Sequence, residues 1–308
     1  MEKRSILHMF DPTPQNSPFD VNMALDAGFD MLVPYNNVKL DGLQRLVQDA
    51  IFSRSPSGIR RTAIFIGGRD LGLAMNMLST SKQTMFPPFE ISVFADPSGA
   101  FTTAAALVAC VEKQLKEKHG KALDSCKTVV FGGTGPVGIA SGIIASLAGS
   151  DTTLIDHLIQ DTATDTASEY NRLCQSSLSG DVASSDQEKM ALIADADIIL
   201  STAKAGIEVL NENILKAAKQ LKVAGDINAV APAGIAGITA KDMGKPLVHA
   251  TASDNPVSVG PLAVGNVKYK LQSELLKSML KNERKEDKPV YLDFRDAFTV
   301  AREMLETT

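Results

Sequence analysis

The glycine-rich stretch Gly132-Gly-Thr-Gly-Pro-Val-Gly138 narrows the folds open to this chain more than any other feature. A β-branched run, Thr128 to Phe131, leads into it, and an apolar helical pattern from Pro136 to Ala148 leads out. A strand, the turn Gly133-x-Gly135-x-x-Gly138 and a helix, in that order, are the parts of a dinucleotide-binding unit. In such a unit Gly133 permits the tight turn, Gly135 lets the backbone approach a pyrophosphate, and Gly138 lets the helix pack closely on the sheet. Pro136 suits the first helical turn, where its missing N–H needs no partner. The anion sits on the N–H groups exposed there, with Thr134 and Val137 beside it. A second strand-like run, Thr152 to Ile155, ends in Asp156, 18 residues after Gly138, where such folds place the acid that receives the adenosine ribose.

A length of 308 residues suffices for two domains, each with its own core. Hydrophobic residues make up 44% and charged residues 22%, as in an ordinary α/β protein. No run reaches the ~18–20 apolar residues of a membrane span. A net charge of −5 and a pI near 5.5 speak against a nucleic-acid binder, whose affinity rests on Lys and Arg at phosphates. The N-terminal apolar run is stopped by Asp11 and Pro12 too early for a signal peptide. Cys110, Cys126 and Cys174 are widely spaced, so neither a disulfide framework nor a metal site is expected, and a reducing cytoplasm is the expected setting.

Along the chain, strands at Ser5 to Phe10, Met31 to Val33, Thr62 to Ile66 and Ile91 to Ala95 alternate with helical patterns at Asp20 to Ala27, around Leu43 to Ala50, and at Leu71 to Lys82. That alternation predicts a small, mainly parallel sheet over residues 1 to about 100. A long helix should start near Thr102 and Thr103, where a hydroxyl can cap the first turn, and link two domains. After Asp156 the expected elements are a helix at Ala167 to Leu178, a Ser- and Gly-rich turn, a helix at Gln187 to Ala194, and a buried strand from Ala196. The loop Ser201 to Gly206, with Thr202 and Ala203, should lie at the carboxyl end of that strand, near the cofactor. Leu210 to Leu221 reads as helix, and Val223 to Ile227 as a strand entering a second small-residue loop at Asn228, also assigned to the cofactor. Val267, Leu271, Leu275, Leu276 and Met279 share a helical stripe in a basic segment ending near Arg284, and Asp293 to Glu306 forms a last helix. The fold class is α/β: a Rossmann-type doubly wound parallel sheet inserted in a second, smaller α/β domain.

Catalytic equipment is sparse. His8 and His249 lie in strand-like runs, His119 in a charged stretch and His157 beside the ribose acid, and none pairs with a Ser or Asp in a catalytic motif. A reaction without a general acid or base fits this pattern. Oxidation of a carbon bridging two nitrogens is one: the hydride leaves, and the nitrogens carry the positive charge by resonance. The protein then has to bind, orient and tune.

Separated stretches carry a family resemblance: Ser17-Pro-Phe-Asp20, Thr62 to Gly68, Asp96 to Ala104, Gly132 to Gly138, Asp226 to Gly237 and Gly265-Asn-Val-Lys268. Together they resemble the bacterial NAD(P)-dependent methylene-tetrahydromethanopterin dehydrogenases of one-carbon-metabolising bacteria, over nearly the whole chain. The resemblance implies oxidation of methylene- to methenyl-tetrahydromethanopterin with reduction of NAD or NADP. It also implies a cleft between two domains and a homo-oligomer, a trimer or hexamer. The pterin domain would take residues 1–103 and 260–308, and the NAD(P) domain residues 104–259.

Carried over by position, the resemblance puts Asp20, Thr102, Thr103 and Lys268 at the substrate, with Asp20, Thr103 and Lys268 in the catalytic set. Asp20 and Thr103 each have a second reading as helix caps, and the two roles can coexist. The bland reading of Lys268 is a lysine on a solvated helix face. Asp156 would repel a 2′-phosphate and favours NAD, while a protonated His157 would partly offset it. Two rivals stand beside this reading: the same reaction on methylene-tetrahydrofolate, and a non-catalytic dinucleotide-binding sensor.

Overall fold

Strands that are apolar on both faces need cover on both faces, and parallel sheets supply it. The structure, a computed structural model, describes residues 3–280 and 288–307. Two compact units result: Met1–Thr102 with Tyr269–Ala297, and Thr103–Lys268 with Phe298–Thr308. These boundaries differ from those expected. Residues 260–268 and 298–308 fall with the second unit, because the helices that contain them are divided between the two.

The first unit runs β1 (Ile6–Phe10), α1 (Pro18–Asp26), β2 (Met31–Tyr35), α2 (Leu40–Phe52), α3 (Pro56–Ile59), β3 (Thr62–Ile66), α4 (Leu71–Thr84) and β4 (Ser92–Ala95). A short 3-10 turn, Pro97–Gly99, then leads into α5 (Ala100–His119). Among the described residues β1 to β4 form a parallel sheet, with β12 (Tyr291–Leu292) added beside β4, in the order β12-β4-β3-β1-β2. β3 and β4 are buried throughout. β2, with Pro34 and no fully buried residue, takes an edge, where a missing N–H is tolerated. β12 has two residues and no periodicity to read, so the sequence pattern did not show it.

The second unit contains β5 (Lys127–Phe131), α6 (Pro136–Leu147), β6 (Asp151–Asp156), α7 (Gln160–Cys174), β7 (Leu178–Val182), α8 (Asp186–Ile193) and β8 (Ile198–Ser201). It continues with α9 (Glu212–Leu215), β9 (Val223–Asp226), β10 (Met243–Pro246), β11 (Val257–Val259) and the start of α10 (Pro261–Ser278). The last helix is α11 (Phe294–Glu306). Its sheet has the order β10-β11-β9-β8-β5-β6-β7 and is parallel except for β10. Strand order reverses at β5, which pairs with β6 on one side and β8 on the other. A ligand crevice opens at the carboxyl end of such a switch point. Val129, Phe131, Ile155, Ile199, Ile214 and Leu215 form part of the core of this unit, each at most 2% exposed.

Besides β12, the short elements α3, β10 and β11 were not expected, and three expected elements take another form. α7 begins at Gln160 rather than Ala167, because its first two turns are Thr- and Asp-rich and bury only Ala163, too little apolar surface to mark a stripe. The Ser- and Gly-rich turn is the edge strand β7, where the Ala163 backbone of α7 lies so close to Gly180 that a Cβ would collide with it. The expected helix Leu210 to Leu221 shrinks to α9. The Val209 and Leu210 N–H groups donate to the Gly234 carbonyl, and Lys219 and Lys222 donate to Ala194 and Asp197, so neighbouring segments take the bonds a helix would use. The basic segment expected to end near Arg284 lies, in its last part, outside the described residues. Among the described residues no helix is long and apolar enough to cross a membrane.

Candidate active site

The glycine turn continues the β5–β6 ladder by one bond, Gly133 N–H to the Ile155 carbonyl at 3.1 Å. The left-handed backbone falls on Gly132, φ 71°, one residue before the motif, so the tight turn is made there and not at Gly133. A doubled glycine was the signal for it. At Gly133 a Cβ would stand 2.7 Å from the Ile155 nitrogen, so this glycine allows the close approach to β6. At Gly138 a Cβ would strike the Gly132 carbonyl and come within 2.8 Å of Thr202 Oγ1.

Gly135 is different. It is the N-cap of α6 with φ −82° and ψ 162°, and a Cβ would meet only the Gly132 carbonyl, at 3.4 Å. Its open face is a cradle that a side chain would fill. Pro136 follows in the first helical turn, and helix geometry leaves the Val137 and Gly138 N–H groups without intrahelical acceptors. The positive end of the helix dipole lies there, so the turn fits a pyrophosphate.

Gly138→Ala should lower the melting temperature. In an ordinary helix interior alanine is worth up to about 1 kcal/mol over glycine, but here overpacking against the Gly132 carbonyl costs about 1–3 kcal/mol. Thermal unfolding checks the sign, and an unchanged or raised Tm would show that α6 does not pack as closely as described.

Asp156 ends β6 and is 8% exposed. Its Oδ1 accepts from the Leu158 and Ile159 N–H groups at 2.9 and 3.0 Å, and its Oδ2 from Thr134 Oγ1 at 2.8 Å. Burial pulls this carboxyl upward, but the Ile159 and Leu158 N–H groups, the Thr134 hydroxyl and His157 together outweigh it, and its pKa falls below the usual value. The group is therefore a fixed anion, with three of a carboxylate's roughly four acceptor sites taken and one left, on Oδ2, for a hydroxyl. Thr134 aims the carboxylate from within the glycine turn. His157 points outward, 81% exposed, with Nδ1 3.8 Å from Asp156 Oδ1.

The loops after β8 and β9 are tied to this turn and to each other. Thr202 donates its N–H to the Phe131 carbonyl at 2.9 Å and its hydroxyl to the Phe131 and Gly132 carbonyls at 2.9 and 3.1 Å, which sets the Ala203 backbone against Gly132. Asn228 is 6% exposed, and its side chain is engaged within the protein. Its Oδ1 accepts from the Gly206 and Val230 N–H groups at 3.1 and 3.0 Å, and its Nδ2 donates to the Pro232 carbonyl at 2.8 Å. Asn228 thus lashes the two loops together. Below it Asp226, fully buried, accepts from the Asn228 and Ile235 N–H groups at 2.9 and 3.1 Å, and burial pushes its carboxyl up despite them. Asp226 has no role assigned from the sequence; its signal there is a carboxylate closing an otherwise apolar strand.

Asp20 and Thr102 belong to the first unit, Thr103 and Lys268 to the second. Asp20 does not cap α1. Ser17 does, accepting the Asp20 N–H at 3.4 Å, and Asp20 sits inside the first turn, 5% exposed, with Oδ1 accepting from Gln272 Nε2 at 2.8 Å. Neither Thr102 nor Thr103 caps α5, which starts earlier, at Ala100. Asp96 accepts the Thr102 N–H at 3.1 Å and its hydroxyl at 2.7 Å, and Thr102 has no exposed surface. Thr103, the next residue of α5, is half-buried, and so is Lys268 on α10, which is not fully solvated. Among the described residues no cluster of His, Cys, Asp and Glu could hold a metal ion.

Residues 18–98 match the family model described as methylene-tetrahydromethanopterin dehydrogenase, N-terminal. Over 301 residues, 98% of this chain and 99% of the relative, the chain is 42% identical to the NAD(P)-dependent methylenetetrahydromethanopterin dehydrogenase of Methylorubrum extorquens. It is 29% identical, over 98% of this chain and 99% of the relative, to the bifunctional protein MdtA of the same organism. Among solved structures, shikimate 5-dehydrogenase from Listeria monocytogenes in complex with shikimate and NAD is similar in fold, with a TM-score of 0.50 at 13% identity, covering 98% of this chain and 96% of that one.

Proposed function

Because this chain belongs to the family of NAD(P)-dependent methylenetetrahydromethanopterin dehydrogenases, we infer that it transfers a hydride reversibly from methylene-tetrahydromethanopterin to NAD(P)+, giving methenyl-tetrahydromethanopterin. The step belongs to one-carbon (formaldehyde) oxidation. Kinship along the whole chain carries this reading, and the open, anion-ready glycine turn is what such an enzyme needs.

The hydride leaves the bridging carbon with its bonding pair, and the two flanking nitrogens take up the positive charge. No proton moves, so the step asks for no general acid or base. When bound, the nicotinamide supplies the two-electron acceptor. The chain's own residues bind and orient. The Val137 and Gly138 N–H groups would hold the pyrophosphate and Asp156 the ribose. Asp20, Thr103 and Lys268 would hold the pterin, with Thr102 acting through Asp96 on the start of α5. On this reading the first unit is the pterin unit and the second the NAD(P) unit. The reading extends to a homo-oligomer of three or six chains in the cytoplasm, which analytical ultracentrifugation and cell fractionation would test.

A carboxylate that stays ionised at neutral pH receives a ribose hydroxyl at its remaining acceptor site and repels a phosphate, so the chain prefers NAD over NADP. Asp156→Ala should weaken NAD binding by about 1–3 kcal/mol and leave NADP binding unchanged or improved. Titration calorimetry with both nucleotides checks this, and equal loss for both would remove Asp156 from the ribose. The function itself is tested by assaying the purified protein with methylene-tetrahydromethanopterin and methylene-tetrahydrofolate, each with NAD and NADP. Turnover on the folate alone would overturn the substrate. Nucleotide binding without turnover on either pterin would overturn the enzyme.

A further inference from the structure

A glutamine on the inner side of a helix is costly unless its amide is bonded. Gln272 on α10 is fully buried, between Leu271 at 0% and Leu275 at 2% exposure, and donates Nε2–H to Asp20 Oδ1 at 2.8 Å across 252 residues of chain. Asp20 is itself 5% exposed and stands in the first turn of α1, where the helix dipole favours an anion. A buried amide and a buried carboxylate at this distance fix each other's rotamers. A neutral donor does so without bringing a charge of its own. The spacing of four residues also puts Gln272 one turn after Lys268, so one face of α10 carries both.

We propose that Gln272 is a positioning residue for the pterin: its side-chain amide holds the Asp20 carboxylate in the orientation that receives the donors of the pterin ring. The proposal rests on the reading of Asp20 as a pterin ligand. Gln272 touches Asp20 and acts through it, so its loss should appear in pterin affinity and not in nicotinamide affinity. The alternative is a purely structural bond between α1 and α10, which would appear in stability alone.

The experiment uses the full chain with Gln272→Met, which keeps volume and removes the amide, alongside Asp20→Ala and the double variant. Pterin affinity is read by titration calorimetry without nucleotide, with KM and kcat for the pterin and NAD affinity measured in parallel. Gln272→Met should weaken pterin binding and raise KM by about tenfold, with NAD affinity unchanged. In the Asp20→Ala background the same substitution should add almost nothing, because residues acting as one unit are non-additive. If Gln272→Met proves too unstable, Gln272→Asn carries the test: it withdraws the amide by one methylene, and the proposal requires a raised KM from it as well.

Unchanged pterin affinity in the Gln272 variant that folds, with a loss in Asp20→Ala, overturns the positioning role and leaves Asp20 as a ligand. Unchanged pterin affinity in Asp20→Ala overturns the reading of Asp20, and the proposal with it. Additive losses overturn the claim that Gln272 acts through Asp20.

Discussion

Lys268→Met is expected to lower pterin-dependent turnover by about a hundredfold or more, the cost of poor alignment, while NAD affinity and Tm stay near those of the unaltered protein. A half-buried lysine on α10 has part of its side chain withdrawn from solvent, which a merely solvating residue does not need. It is not the base of the reaction, since hydride departure releases no proton from the bridging carbon. An ammonium placed close to that carbon would oppose the forming cation. The role proposed for it is therefore at polar atoms of the pterin or its tail, where hydrogen bonds would turn the bridge toward the nicotinamide. Lys268→Arg should recover only part of the loss, because a planar guanidinium does not reproduce a compact ammonium. Steady-state kinetics with both variants decide it. Near-normal turnover in the methionine variant would return Lys268 to the solvated face of its helix.

In Gly135→Val the expected loss is of the nucleotide itself: affinity should fall by about two orders of magnitude or more, some 2.7 kcal/mol, with the fold intact. The reasoning is steric. The backbone at Gly135 is extended, a conformation any residue adopts, and the nearest atom to an added Cβ is the Gly132 carbonyl oxygen at 3.4 Å. A branched side chain therefore finds room, but it stands over the surface where a pyrophosphate meets the first turn of α6. Gly138→Ala is the contrasting case, since its added methyl runs into the protein and should be felt in stability. Circular dichroism establishes folding and calorimetry the affinity. Normal nucleotide binding by folded Gly135→Val would make this glycine a turn residue only.

Much of the fold around the turn was legible because it is local. A β-branched run, a cluster of glycines and an apolar helical stripe each act over a few neighbouring residues, and β5, α6 and the acid at the end of β6 fall where the pattern put them. The family resemblance then supplied what no local pattern contains, the pterin and the roles proposed for Asp20, Thr103 and Lys268. Where the reading went astray, the deciding bonds were non-local. Leu210 to Leu221 has the composition of a helix, yet near its two ends the Leu210 and Lys219 N–H groups go to the Gly234 and Ala194 carbonyls of distant segments. β7 and β12 are edge strands, too short or too polar to carry a period, and exist because β6 and β4 offer them a ladder.

The sequence by itself determined the α/β class, the dinucleotide turn with its acid, and the family. Tertiary structure alone decided which side chains are held by which: Thr134 on Asp156, Asn228 between two loops, Asp96 on Thr102, and Gln272 on Asp20. The reason is physical. Periodicity and turn chemistry are set by neighbours in the chain, whereas a buried polar group takes its partner from whatever the packing of distant segments brings within about 3 Å.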